Sequence, residues 1–143
     1  MNQGAIRISA SMDEHGYGWG CFDVTISKGE TTTHLTFFAD EDTWKDFGKE
    51  LSCFPVAVSA TVSFEAGIID TSDSYLKLQA YCFDAYGHAA IRVSVDNRKP
   101  DPDRCKLAFS IPAEIASINR LGHLLRNWRA ENNTEILWQA QTS

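Results

Sequence analysis

The sequence has no long apolar run, no closely spaced pair of cysteines and no excess of basic residues, and each absence narrows what the chain can do. Its longest apolar stretches, such as Phe54 to Val58, fall far short of the ~20 residues that cross a bilayer, so no membrane partner is expected. The first residues, Met-Asn-Gln-Gly-Ala-Ile-Arg, lack the basic start and apolar core of a secretory leader, which predicts a cytoplasmic protein. Cys21, Cys53, Cys82 and Cys105 lie far apart, whereas metal clips and redox motifs need close pairs. Reduced thiols acting as small hydrophobes are expected, with no metal and no cofactor. A net charge of −6 is the wrong sign for neutralising phosphates, so nucleic acid is excluded as a first-choice partner.

What is present is ordinary for a globular protein: 143 residues, 43% hydrophobic and 22% charged. A single domain over residues 1–143 is expected, with 131–143 as a mobile tail. Charge is unevenly spread. Residues 1–73 hold 4 Lys/Arg against 12 Asp/Glu, and residues 74–143 hold 9 against 7. An acidic first half favours a basic partner.

Alternation of apolar and polar residues marks strands at Ala5–Ala10, Trp19–Ile26 and Thr31–Phe38, the last two joined by a turn at Lys28-Gly29-Glu30. The period then changes. Trp44, Phe47, Leu51 and Phe54 recur at steps of three and four, predicting a helix from about residue 41, capped by Asp40 or Asp42 and closed by Pro55. Four more strands follow at Ala60–Glu65, Tyr75–Phe83, Ala89–Val95 and Leu107–Ile111. Pro112 suits the first turn of a second helix, whose apolar stripe is Ile115, Ile118, Leu121, Leu125 and Trp128. The order βββαββββα, without regular β-α-β alternation, predicts an α+β fold: a largely antiparallel sheet of six to seven strands with two amphipathic helices packed on it.

Groups able to do chemistry are scattered. Asp84 and His88 flank a turn, where an Asp–His pair either orients an imidazole for proton transfer in a small hydrolase or nuclease, or ties the turn together. The turn role is favoured, because hairpins use Asp and Gly for backbone reasons. His15 and His34 can meet across strands but lack a lysine and a phosphate site. His123, among Arg120, Arg126 and Arg129, reads as part of a solvated basic face. Gly16, Gly18 and Gly20 lead into a strand rather than a helix, so they do not form a phosphate loop. Asp40, Glu41, Asp42 and Asp46 crowd a predicted helix start, where dipole compensation explains them; their functional use is an acidic docking patch. Tyr81 and Phe83 fall on the outward phase of their strand, giving a wet but aromatic face. Trp138, in a polar tail, either folds back onto the domain or contacts a partner.

The arrangement resembles the WapI-like immunity proteins, small bacterial proteins encoded beside polymorphic contact-dependent toxins. The resemblance lies in the aromatic start Trp19, the helix residues Trp44, Phe47 and Leu51, and the strand residues Leu76 and Leu78. It continues through Asp84 and Gly87-His88 into Ala89, Ile91, Val93 and Val95, then Leu107, Phe109 and the helix from Ile115 to Leu125. It implies a non-enzymatic protein that neutralises a cognate toxin by tight binding. The residues expected to touch a basic toxin domain are Asp40, Glu41, Asp42, Asp46, Tyr81, Phe83 and Trp138, with Asp84 and His88 the alternative, enzymatic site. A homodimer joined through an exposed strand edge or sheet face is a third reading.

Overall fold

A computed structural model describes residues 3–13, 18–68, 73–131 and 134–142. The first alternating segments form β1 (Gly4–Met12), β2 (Trp19–Lys28) and β3 (Thr31–Asp40), and β2 and β3 meet at a turn in which Gly29 has φ 60°. Ile6 and Ile8, Phe22, Val24 and Ile26, and Leu35 and Phe37 fill one face, as period two requires. Then come α1 (Lys45–Ser52), β4 (Val62–Ala66), β5 (Tyr75–Cys82), β6 (Ala89–Asp96), β7 (Lys106–Ala113), α2 (Ile115–Asn127) and β8 (Thr134–Gln139).

The fold is α+β with antiparallel strands, but its strands are divided differently from the single sheet expected. Among the described residues there are eight strands in two four-stranded sheets, ordered β3-β2-β1-β8 and β4-β5-β6-β7. Alternation reports which side chains face a core, not which sheet a strand joins. The eighth strand lies in the segment read as a mobile tail. It pairs with β1 so that Ile136 faces Ile8 and Trp138 faces Ile6. Trp138 is 0% exposed and its indole N–H donates to the Ser117 carbonyl at 2.8 Å, so it belongs to the core and is not an exposed anchor for a partner. Ile136 and Trp138 are the buried phase of a short strand whose outward residues are Glu135, Leu137 and Gln139, two of them polar.

Two local expectations also change. Pro112 lies in β7, paired opposite Ala90, and not in the helix; β7 is a sheet edge, the position in a sheet that tolerates proline. The residue at the start of α1 is Trp44, with no side-chain cap, while Asp40 accepts the Asp42 N–H at 2.8 Å to shape the preceding turn. An Asp placed four or five residues ahead of the helix reaches the turn's amides before it can reach the helix's.

One buried cluster draws on both sheets and both helices. Aromatic rings connect them: Phe22 and Phe37 from the first sheet, Trp44 and Phe47 from the α1 region, and Phe64 from β4. Trp44 stacks on Phe64 with centroids 4.0 Å apart and planes 14° from parallel. The two helices cross where neither has a side chain. A Cβ on Gly48 would lie 2.5 Å from the Arg126 nitrogen, and one on Gly122 would lie 2.5 Å from the Ser52 nitrogen. Asn119 bonds the Leu51 and Phe54 carbonyls at 2.8 and 2.9 Å, satisfying the end of α1.

Because those near contacts are backbone atoms that cannot swing away, Gly122→Ala is expected to force the helices apart. The cost is about 1–3 kcal/mol, only partly offset by alanine's better helix propensity. Thermal unfolding should show a fall of several degrees in Tm; an unchanged or raised Tm would contradict the close crossing.

Candidate functional site

At the end of β3 the pleat turns Phe37 into the core and Phe38 out. Trp19 opens β2 opposite Asp40, and Cys21 lies opposite Phe38, so Trp19, Cys21, Phe38 and Asp40 share the outer face of the first sheet. Trp19 is 51% exposed and Phe38 55%. Across from them, the end of β4 and the residues after it bring up Glu65, Ala66 and Ile68, the last 59% exposed, together with Asp73. The result is a groove of about 360 Å³ with Trp19, Phe38 and Ile68 as walls and Asp40, Glu65 and Asp73 at its rim. Isolated exposed apolar residues are common on proteins; three of them gathered in one concavity with acids are not.

Each rim carboxylate accepts one hydrogen bond that fixes its position. Asp73 accepts the Phe38 N–H at 3.3 Å, Asp40 that of Asp42 at 2.8 Å, and Glu65 the Tyr75 hydroxyl at 2.8 Å. Asp73 thereby covers a backbone donor on an edge strand. No lysine or arginine of the described residues forms an ion pair with any of the three. Arg98 is nearby but occupied, donating to the Gly67 and Asp73 carbonyls at 2.6 and 3.2 Å, with its guanidinium 5.5 Å from the centre of the Tyr75 ring. The surplus of negative charge is felt locally. Burial, reinforced by the charges of Asp23 and Asp73, pushes the Cys21 thiol up from its ordinary value.

Of the acids singled out in the sequence, Asp40 lines this groove. Glu41 lies beside it, its carboxyl against Gly18, whose carbonyl receives the Glu41 N–H at 2.6 Å. Asp42 is 4.0 Å from Lys45, and Asp46 is exposed in the first turn of α1. Tyr81 belongs to β5 of the other sheet, and Phe83 follows that strand. Tyr81 bonds Ser110 at 2.8 Å and carries the Arg92 guanidinium over its ring at 4.5 Å, so it is already partnered. Phe83 is exposed beside His88. Trp19, Phe38, Glu65, Ile68 and Asp73 were not singled out as binding residues. A signal existed for two of them: an aromatic on the outward phase of a strand, as at Trp19 and Phe38, faces solvent by construction.

Asp84 and His88 are brought together, as an exposed turn. One Asp84 oxygen accepts the Tyr86 and His88 backbone N–H groups at 2.9 and 3.1 Å, and the other meets His88 Nδ1. The bond to the imidazole, aided by the two backbone donors, holds the Asp84 carboxyl below the usual carboxylate range. The His88 side chain is 68% exposed. A shallow pocket beside it, about 280 Å³, also includes Glu114. These bonds explain both residues as turn-holding groups. His34 pairs with Asp23, and His123 lies 3.5 Å from the Ser52 hydroxyl. His15 and Gly16 lie outside the described residues, so the His15–His34 pairing and the glycine-rich lead-in are not described in full. Among the described residues no group of three or more His, Cys, Asp or Glu is arranged to hold a metal.

No family model matches the chain and no curated protein matches it. A solved structure, that of the plant transcriptional regulator PBF-2, is similar in fold, with a TM-score of 0.51 at 9% identity over 90% of this chain and 78% of that one. At that identity the likeness is one of architecture alone.

Tyr75 gives the rim a titratable reporter. Partial burial, then the hydrogen bond to Glu65 and its charge, raise this phenol from 10.0 to about 12, against the opposing charge of Arg98. The folded state thus holds the proton to higher pH than the unfolded chain does. The associated stabilisation is complete below pH 10.0 and is lost as pH climbs towards about 12. A difference absorbance titration between the wild type and Tyr75→Phe should be centred near 12; a centre near 10 would show that in solution the phenol is neither buried nor held by Glu65.

Proposed function

We propose that this chain is a non-enzymatic binding protein of the immunity type, acting in the bacterial cytoplasm by covering a basic toxin domain with the groove formed by Trp19, Phe38, Ile68 and Asp40. The observation that carries the reading is the groove itself: exposed aromatic and aliphatic walls ringed by carboxylates that no cation of the described residues neutralises. Binding energy at protein interfaces concentrates in a few aromatic anchors that become desolvated. Rim charge adds speed of encounter and selects partners of opposite sign. The net charge of −6, weighted towards residues 1–73, extends the same field over that part of the chain. Asp84 and His88 favour this reading over a hydrolase, since both are used in holding an open turn.

The test is binding of the purified chain to the product of the gene beside its own, by calorimetry at several salt concentrations. Affinity is expected to fall as salt rises. Trp19→Ala should weaken it by about tenfold or more, equivalent to ~1.4 kcal/mol or above. Asp40→Asn should act mainly on the association rate. A tight complex indifferent to Trp19→Ala, Phe38→Ala and salt would remove the groove from the interface, and the absence of any complex or protection from the toxin would end the immunity reading.

A further inference from the structure

The walls and rim of the groove together restrict what kind of side chain can fill it. Resting on the reading of this groove as the partner-binding surface, we propose that it is a receptor for an arginine side chain presented by the partner, stacked between Trp19 and Phe38 and paired with Asp40 and Glu65. Neither of those aromatic rings pairs with another ring or a cation of the described residues, and each residue leaves about half of its surface exposed, where a planar cation can lie against it. Two other rings of the chain already have an arginine, one in the second sheet and one bordering the groove. Arg92 lies 4.5 Å over Tyr81, and Arg98 lies 5.5 Å over Tyr75, whose hydroxyl bonds Glu65. The groove has the rings and the acids but no arginine of its own.

Guanidinium fits this setting better than ammonium. It is planar, so it stacks on aromatic faces, and it is less strongly hydrated, so it leaves water at lower cost. Its fork of N–H donors can engage carboxylates that each already have one lone pair in use, as Asp40 and Glu65 do. Its three-carbon stem can cover Ile68, an apolar wall that a small free cation would leave wet. A lysine gains the charge attraction but loses the stacking and the bidentate geometry.

The probe is the peptide Ac-Gly-Gly-Arg-Gly-Gly-NH2, titrated into the full isotope-labelled chain and followed by the Trp19 indole and Phe38 amide resonances. Its lysine and citrulline counterparts serve as comparisons. Saturable shifts centred on Trp19 and Phe38 are expected, with the citrulline peptide weaker by about tenfold and the lysine peptide intermediate. Asp40→Asn and Glu65→Gln keep the acceptors that position Asp42 and Tyr75 while removing charge, and each should reduce the response without changing Tm. Equal response to arginine and citrulline, shifts centred elsewhere, or no saturable shift would overturn the proposal. If the arginine peptide fails while Trp19→Ala still disrupts the toxin complex, the arginine assignment falls and the groove stands as a partner surface with a different anchor.

Discussion

The stack of Trp44 on Phe64 is the contact on which the rest of the molecule depends. Phe64 comes from the edge strand β4 of one sheet, and Trp44 from the start of α1 directly after the edge strand β3 of the other. Phe37 lies 5.8 Å from Trp44 and 6.2 Å from Phe64, so the three rings bridge the two sheets at one corner. Trp44 does this while its indole N–H finds no acceptor among the described residues. An unsatisfied buried donor costs about 1–3 kcal/mol, which the ring contacts and buried area must exceed. The groove lies at this same corner. Phe38 and Glu65 are the outward neighbours of Phe37 and Phe64, so the pleat that buries one residue of each pair turns the other to the surface.

Much of the fold was legible because its strands are half-buried. Ile6 and Ile8, Phe22, Val24 and Ile26, and Leu76 and Leu78 declare their strands by period two, and Ile118, Leu121 and Leu125 declare α2 by steps of three and four. The partition into two sheets was not legible. A strand's face pattern is the same whichever sheet it joins, and strand neighbours are set by long-range pairing, such as Ile8 opposite Ile136. Likewise β8 was hidden by brevity and by Glu135 and Gln139, although Ile136 and Trp138 alternate correctly. A proline ahead of an apolar stripe fits a helix start, so Pro112 points to the helix in sequence; the edge position of β7 makes it acceptable in a strand.

The groove was half-visible for a related reason. The sequence shows charge density, so Asp40 and its neighbours stood out, and it shows which strand positions point outward, so Trp19 and Phe38 were available to be noticed. It does not show that Glu65, Ile68 and Asp73, remote in sequence, complete the same concavity. Conversely, Tyr81 and Asp84 carry suggestive chemistry whose partners, Arg92, Ser110 and the backbone of Tyr86, account for it locally. The distinction between a committed and an uncommitted side chain is a matter of three-dimensional neighbours. On that basis Trp19, Phe38, Ile68 and Asp40 gather at the first sheet's outer corner, while other exposed apolar side chains such as Val56, Tyr86 and Leu137 stand apart from it.

One aromatic corner both unites the sheets and supports the groove. Amide hydrogen exchange on Phe64→Ala, a change expected to cost about 3–5 kcal/mol, tests it most directly. If the corner does both, amides in β1–β3 and in β4–β6 lose protection together, and the resonances of Trp19 and Phe38 move. Loss of protection confined to β4–β6, with β1–β3 and the Trp19 indole unaltered, would mean that the sheets are held together elsewhere and that the groove does not depend on this contact.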